Sequence, residues 1–284
     1  MMKKIYIQLM LFIAVCCSAQ VHAQGLKMPQ ASSGQTITQE FGLGSITLTY
    51  SRPNVKGRKI FGEGTLQPYG EVWRTGANQA TVIKFADDVT IEGNKVPAGE
   101  YSLFSIPGKN EWTIILNKTA KQWGAYQYKQ ADDVVRFTVK PVNVKDLVET
   151  FTMQFTNVKP TTCDLTFMWE HTAIIMHLTT DVDTRIMAGI DEAMKGEKKP
   201  YFAAAQYYYE NNKDLGKALS WMNELEKNDP KAYYYKVWKA RIQLKIGDKA
   251  GAITTATQGV ALAKADKSDE YTRLNEAVIT EAKK

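Results

Sequence analysis

The chain has 284 residues, 44% of them hydrophobic, with 36 Lys and Arg set against 30 Asp and Glu. That length supports one or two hydrophobic cores, and the small, dispersed positive excess argues against a nucleic-acid partner. Only three Cys are present, two of them adjacent near the start, which excludes a disulfide framework and a Cys-based structural zinc site in the rest of the chain.

Residues 1–23 have the pattern of a secretory signal peptide. MMKK supplies positive charge, IYIQLMLFIAV is apolar with one polar member, and CCSAQVHA ends it in mostly small residues. Cleavage after Ala23 would leave Cys163 alone and a net charge of about +4. A retained anchor is the first alternative. Lipoprotein processing at Cys16 is the second, against which the bulk of Val15 counts. No later stretch is apolar enough to span a membrane, so a periplasmic, cell-surface or secreted location is expected.

From residue 24 to about 180 the pattern is that of short strands. SITLTYS (45–51) alternates, with Ile46, Leu48 and Tyr50 on one face. TVIKF (81–85) and DVTIEG (88–93) follow, and GNKVPAG reads as a turn-rich link into EYSLFSIPG. PGKN joins that strand to EWTIILN as a hairpin. VVRFTVK (134–140), ETFTMQF (149–155), DLTFMW (164–169) and TAIIMHL (172–178) complete eight or nine strands. This spacing predicts an antiparallel β-sandwich or a jelly-roll-like barrel.

From residue 181 to 284 the period becomes helical. RIMAGIDEAMKG predicts a short helix capped by Asp181 or Asp183. YFAAAQYYYENN with DLGKALSWMNELEKNDP, then KAYYYKVWKARIQLKIG with DKAGAITTATQGVALAKA, read as two helical hairpins, and DEYTRLNEAVITEA as a closing helix. Asp214 and Asp248, Ala218 and Ala252, Leu219 and Ile253, and Met222 and Ala256 are each separated by 34 residues, the period of tetratricopeptide-like repeats. Tyr207–Tyr209, Tyr233–Tyr235, Trp221 and Trp238 are read as packing between helices, with a surface for a protein or glycan partner as the sharper alternative.

The polar residues give less. His171 and His177 lie about 20 Å apart on a straight strand and cannot share a metal there. Cys163 reads as buried filler, and there is no phosphate-cradling loop or serine elbow. No metal and no cofactor are expected. Attention falls on PYGEVWRTGANQAT (68–81), where Arg74 sits beside Trp73 with Asn78 close by. Arg52, Arg58, Tyr101, Glu100 and Glu170 are the other polar residues of interest. An Arg held flat by a neighbouring ring can aim its donors at a carboxylate or phosphate, and Glu170 between Trp169 and His171 is the natural opposite charge.

SRPNVKGRKIFG, PYGEVWRTGANQAT, VPAGEYSLFSIPG with EWTIILN, QWGAYQY and DVVRFTVKP resemble the successive motifs of the DUF2911 family. These are exported bacterial proteins of unknown function, several with a tetratricopeptide-like tail. The resemblance covers about residues 27–178 and implies export but no activity or catalytic residues. An asparagine-synthetase label attached to some members has no support here, because the chain lacks an N-terminal catalytic Cys and a pyrophosphate loop.

The same residues therefore carry three readings. In the first, Arg74 pairs with a buried carboxylate and Trp73 fills the end of the β region, while Gly70 and Gly76 bend the loop. In the second, Arg52, Trp73, Arg74, Asn78, Tyr101 and Glu170 form a site for a small anionic or carbohydrate ligand, with Trp73 stacking on it. In the third, Glu170 or Glu100 acts as acid or base in an envelope hydrolase of glycans or peptides. Noncovalent binding, with a protein contact on the helical tail, is the expected function. The hydrolase and a structural scaffold are alternatives, and the scaffold predicts an exposed apolar band on the tyrosine-rich helices.

Overall fold

The computed structural model describes residues 28–284. The expected leader over 1–23, including Cys16, lies outside the described residues. The chain divides into two compact units, the second running from Val182 to Lys284.

Two antiparallel sheets enclose the core of the first unit. Six strands, β1 (Ser33–Phe41), β2 (Gly44–Arg52), β3 (Thr81–Phe85), β6 (Gly99–Ile106), β7 (Trp112–Asn117) and β8 (Asp133–Val139), form one sheet in the order β1-β2-β3-β6-β7-β8. The other has the order β5-β4-β10-β9, from β4 (Val89–Ile91), β5 (Asn94–Val96), β9 (Val142–Thr156) and β10 (Thr162–Thr179). The strand order of each sheet is linear, so neither closes on itself into a barrel. The architecture is thus a β-sheet region, with no closed jelly roll, followed by a helical array.

Period-two burial explains most of these strands. In β2, Ile46, Leu48 and Tyr50 are buried while Thr49 is exposed. Two strands were not expected from the sequence. In β1 the inward positions are Gln35, Ile37, Gln39 and Phe41, so the apolar alternation is interrupted by amides. The short β5 lies within the link read as a turn.

β10 reverses on itself. A straight strand of this length would span roughly 60 Å, yet Thr180 N–H donates to Thr161 O at 3.0 Å and His177 Nδ1 lies 2.9 Å from Asp164 Oδ1. The reversal falls at Glu170, whose φ is 56°. It accounts for the switch in parity, because Leu165, Phe167 and Trp169 on one arm and Ile174, Met176 and Leu178 on the other are all buried.

The free side of β9 is closed by the segment leaving β2. Met153 N–H donates to Tyr50 Oη at 2.8 Å, and Phe151 N–H donates to Pro53 O at 2.8 Å. Arg52 Nε donates to Phe151 O at 3.2 Å, and Val55 N–H to Glu149 O at 2.7 Å. An edge that would otherwise present unpaired backbone groups is thereby satisfied.

The second unit contains six helices: α1 (Asp183–Ala193), α2 (Tyr201–Glu210), α3 (Leu215–Asn228), α4 (Tyr233–Ile246), α5 (Lys249–Ala265) and α6 (Asp269–Ala282). The 34-residue spacing has a physical counterpart. Asp214 and Asp248 are the N-caps of α3 and α5, accepting from Lys217 N–H at 2.9 Å and Gly251 N–H at 2.8 Å. Ala218 and Ala252 are both fully buried, where small side chains let neighbouring helices approach. α1 departs from expectation. Val182 occupies its cap position without a side-chain bond, and Asp183 instead accepts from Tyr207 Oη and Lys213 Nζ, each at 2.7 Å.

Candidate functional site

The loop 68–81 is tied to the sheet along its length. Gly70 N–H donates to Pro107 O at 2.9 Å, and Trp73 and Ser105 exchange backbone hydrogen bonds of 2.7 and 2.9 Å. Thr81 closes the loop, its N–H donating to Arg74 O at 3.2 Å and its hydroxyl to Thr75 O at 2.6 Å. Gly76 has φ of 157°, and a Cβ there would meet Ser51 O and Thr81 Oγ1 at 3.1 Å. Thr75 and Asn78 also adopt left-handed φ values, 49° and 59°. This is a strained, fully braced loop of the kind associated with function, although strain alone assigns none.

Trp73 belongs to the interior. It is 2% exposed and its Nε1–H donates to Gly76 O at 3.0 Å. Its ring stacks on Trp169 with centroids 5.7 Å apart, and Phe61, Trp112 and Phe151 meet it edge-on. The expectation that this ring stacks on a ligand is corrected: the ring is buried in the core, stacked on Trp169 and in edge contact with three other rings.

Three more of the expected residues are committed to the fold. Asn78 Nδ2 donates to Ser32 O at 3.2 Å and Ser51 Oγ at 3.3 Å, holding the lead into β1. Tyr101 Oη donates to Pro97 O at 2.9 Å, with burial raising its pKa. Glu170 Oε2 accepts from Ile60 N–H at 3.3 Å and makes no ion pair with Arg74. Arg58 braces its own loop through Val55 O and Asn54 O. Arg52, which bonds Phe151 O and Thr152 Oγ1, also lines an open groove of about 330 Å³ between β1 and β9.

Arg74 differs from all of these. It is half-buried, and its Nε is buried with no acceptor. Among the described residues its guanidinium forms neither an ion pair nor a hydrogen bond. The pairing of Arg74 with Glu170 is therefore not made. A buried guanidinium donor without an acceptor carries an unrecovered desolvation cost, and an oxygen-bearing ligand would offset it.

Exposed aromatic residues that no local sequence pattern marks as part of the site lie beside this loop. Gln79 and Trp123 form an antiparallel bridge, Ala80 N–H donates to Gln122 O at 2.9 Å, and Gly124 N–H donates to Asn78 O at 3.1 Å. Trp123 is 62% exposed and Tyr126 85%. The surrounding segment is held by side-chain hydrogen bonds. Asn117 Nδ2 donates to Asp133 Oδ1 at 2.9 Å and Gln122 Nε2 to Thr119 O at 2.7 Å. Tyr128 donates to Asp133 Oδ2 at 2.7 Å, and burial first, then this bond, pushes its hydroxyl up to about 12. QWGAYQY held the signal, but its rings had no assigned role.

Elsewhere, burial pushes the Cys163 thiol up to about 11, which makes it a poor nucleophile. His177 contacts Asp164 on the exposed side of β10. His171 Nδ1 lies 3.0 Å from Val144 O. Among the described residues no cluster of His, Cys, Asp and Glu could hold a metal, and no helix is long and apolar enough to cross a membrane.

Residues 32–178, a little over half of the chain, match the family described as a protein of unknown function, DUF2911. No curated protein and no solved structure matches the chain.

Proposed function

The chain belongs to the DUF2911 family of proteins of unknown function, and on that premise we propose that it is an extracytoplasmic binding protein for a small anionic or hydroxyl-rich ligand. In this reading Arg74 supplies the donor fork, and Trp123 with Tyr126 supplies the exposed rings, the role expected of Trp73. The observation that carries the reading is the buried, unpartnered Nε of Arg74. Exposed Trp and Tyr rings suit a sugar face, and a guanidinium fork suits a carboxylate or phosphate. An acidic saccharide would satisfy both.

Hydrolysis has less support. The expected acid, Glu170, is engaged by Ile60 N–H. The perturbed carboxyls Asp132, Asp164, Asp183 and Glu226 are all shifted downward, the direction that disfavours a general acid at neutral pH.

The helical unit is proposed as a protein contact. Tyr233, Tyr234 and Tyr271 form a run of edge-on rings, and Lys245 Nζ sits 4.5 Å from the centre of the Tyr209 ring. These rings are half-buried between helices. Ile246 is the only large hydrophobic of this unit among the strongly exposed described residues, so the apolar band of a scaffold is not found there.

Calorimetric titration with uronic acids, sugar phosphates and neutral oligosaccharides tests the ligand site. Binding by an acidic saccharide that is lost in Arg74→Gln and weakened in Trp123→Ala supports it. Equal binding by both variants and the parent overturns it.

A further inference from the structure

We propose that two copies of this chain pair through β1, antiparallel about a twofold axis at Ile37, to form one continuous sheet. The β unit has two strand edges on this side, those of β1 and β9. β9 has its free side satisfied by Tyr50, Arg52, Pro53 and Val55, whereas the outer side of β1 has no strand beside it among the described residues. β1 is nine residues long, carries neither Pro nor Lys, and has Glu40 as its one charge. It lacks the devices that commonly protect an edge strand.

The register follows from the hairpin. Phe41 and Gly44 close a two-residue turn, so they form a hydrogen-bonded pair and the odd-numbered residues of β1 bond to β2. The bond from Ala86 N–H to Ser45 O agrees, because it places the odd-numbered residues of β2 toward β3. The outward backbone groups of β1 are therefore those of Gly34, Thr36, Thr38 and Glu40. This set is centred on Ile37.

The side chains have the same centre. Gln35-Thr36-Ile37-Thr38-Gln39 reads identically in both directions. Antiparallel pairing about Ile37 sets Thr36 against Thr38, Gln35 against Gln39 and Ile37 against itself, with Glu40 opposite Gly34 and no like charges facing. The two threonines would find the partner type β1 already accepts, since Thr36 and Thr38 meet Thr49 and Thr47 of β2 at 3.0 and 3.3 Å. The groove between β1 and β9 brings half-buried Ile37 alongside Phe155, and a second strand there would cover Ile37 further. An interface with identical patches on both subunits closes as a dimer.

The test uses the mature chain. Sedimentation analysis is expected to show a dimer. Thr38→Pro removes an outward N–H without touching the bonds to β2 and should weaken association on the order of tenfold or more, with circular dichroism unchanged. Because that variant could misfold, Ile37→Cys is tested in parallel. Residues facing across the axis in a non-hydrogen-bonded pair lie within disulfide reach, so oxidation should link two chains, whereas Leu43→Cys in the exposed turn should not. A monomer at every soluble concentration overturns the proposal. So does a dimer that Ile37→Cys fails to link.

Discussion

Tyr50 fastens the two sheets of the β unit together through Met153. Its hydroxyl oxygen accepts Met153 N–H at 2.8 Å and donates to Gln35 Oε1 at 2.7 Å, with Met153 O also within reach at 3.2 Å. One side chain of β2 thus satisfies backbone on β9 and an amide on β1, and burial raises its pKa. Tyr50→Phe keeps the ring and removes those bonds, leaving the buried Met153 N–H without an acceptor. Urea titration should show a loss of about 1–3 kcal/mol. No measurable loss would mean that solvent already satisfies this edge.

Trp73 and Arg74 are neighbours with opposite expected effects. Trp73→Ala removes a ring packed against four others and should destabilise the β unit by about 3–5 kcal/mol. Arg74→Gln removes a guanidinium that has no partner to lose and whose buried donor is uncompensated, so it should not destabilise the β unit by more than about 0.5 kcal/mol. Thermal melts of the two variants compare these outcomes. A large loss with Arg74→Gln would identify Arg74 as a structural residue.

The helical repeat is testable at its caps. Asp214→Ala and Asp248→Ala each remove a bond to the first turn of a helix and should cost about 1 kcal/mol. The signal is the helical transition in circular dichroism. Similar losses at the two sites are expected, because the two residues hold equivalent positions 34 apart.

Acid should release the β10 hairpin gradually. The side chain of Asn157 and then that of His177 hold the Asp164 carboxyl below its usual range. A depressed folded pKa means that the stabilisation is fully present above the unfolded value of about 3.9. It is lost as pH falls through the lower folded value. The stability gap between the parent and Asp164→Asn should therefore be constant around neutrality and shrink only below about pH 4. A gap that already shrinks well above pH 4 as acid is added would contradict this assignment to the Asp164 carboxyl.

The parts of the molecule legible in sequence were those with strong periodicity. β2 showed its burial through Ile46, Leu48 and Tyr50, and α3 and α5 showed theirs through Asp caps and buried Ala at matching positions. β1 did not, because Gln35 and Gln39 occupy inward positions that a hydrophobic pattern would leave blank. The site was only half legible. Composition drew attention to Trp73 and Arg74 together, but the backbone bridge to Ser105 buries Trp73 while the guanidinium of its neighbour remains unpaired. Trp123 reaches the same loop through its bridge to Gln79, a pairing across more than forty residues that no local pattern records.

The most direct measurement is the NMR signal of the Arg74 Nε–H, assigned by comparison with Arg74→Gln and followed during titration with an acidic saccharide. The account predicts a ligand-free proton with no hydrogen-bond signature, whose resonance then moves saturably as ligand is added. A proton already protected by an internal acceptor in the free protein, and unmoved by every ligand tried, would contradict it.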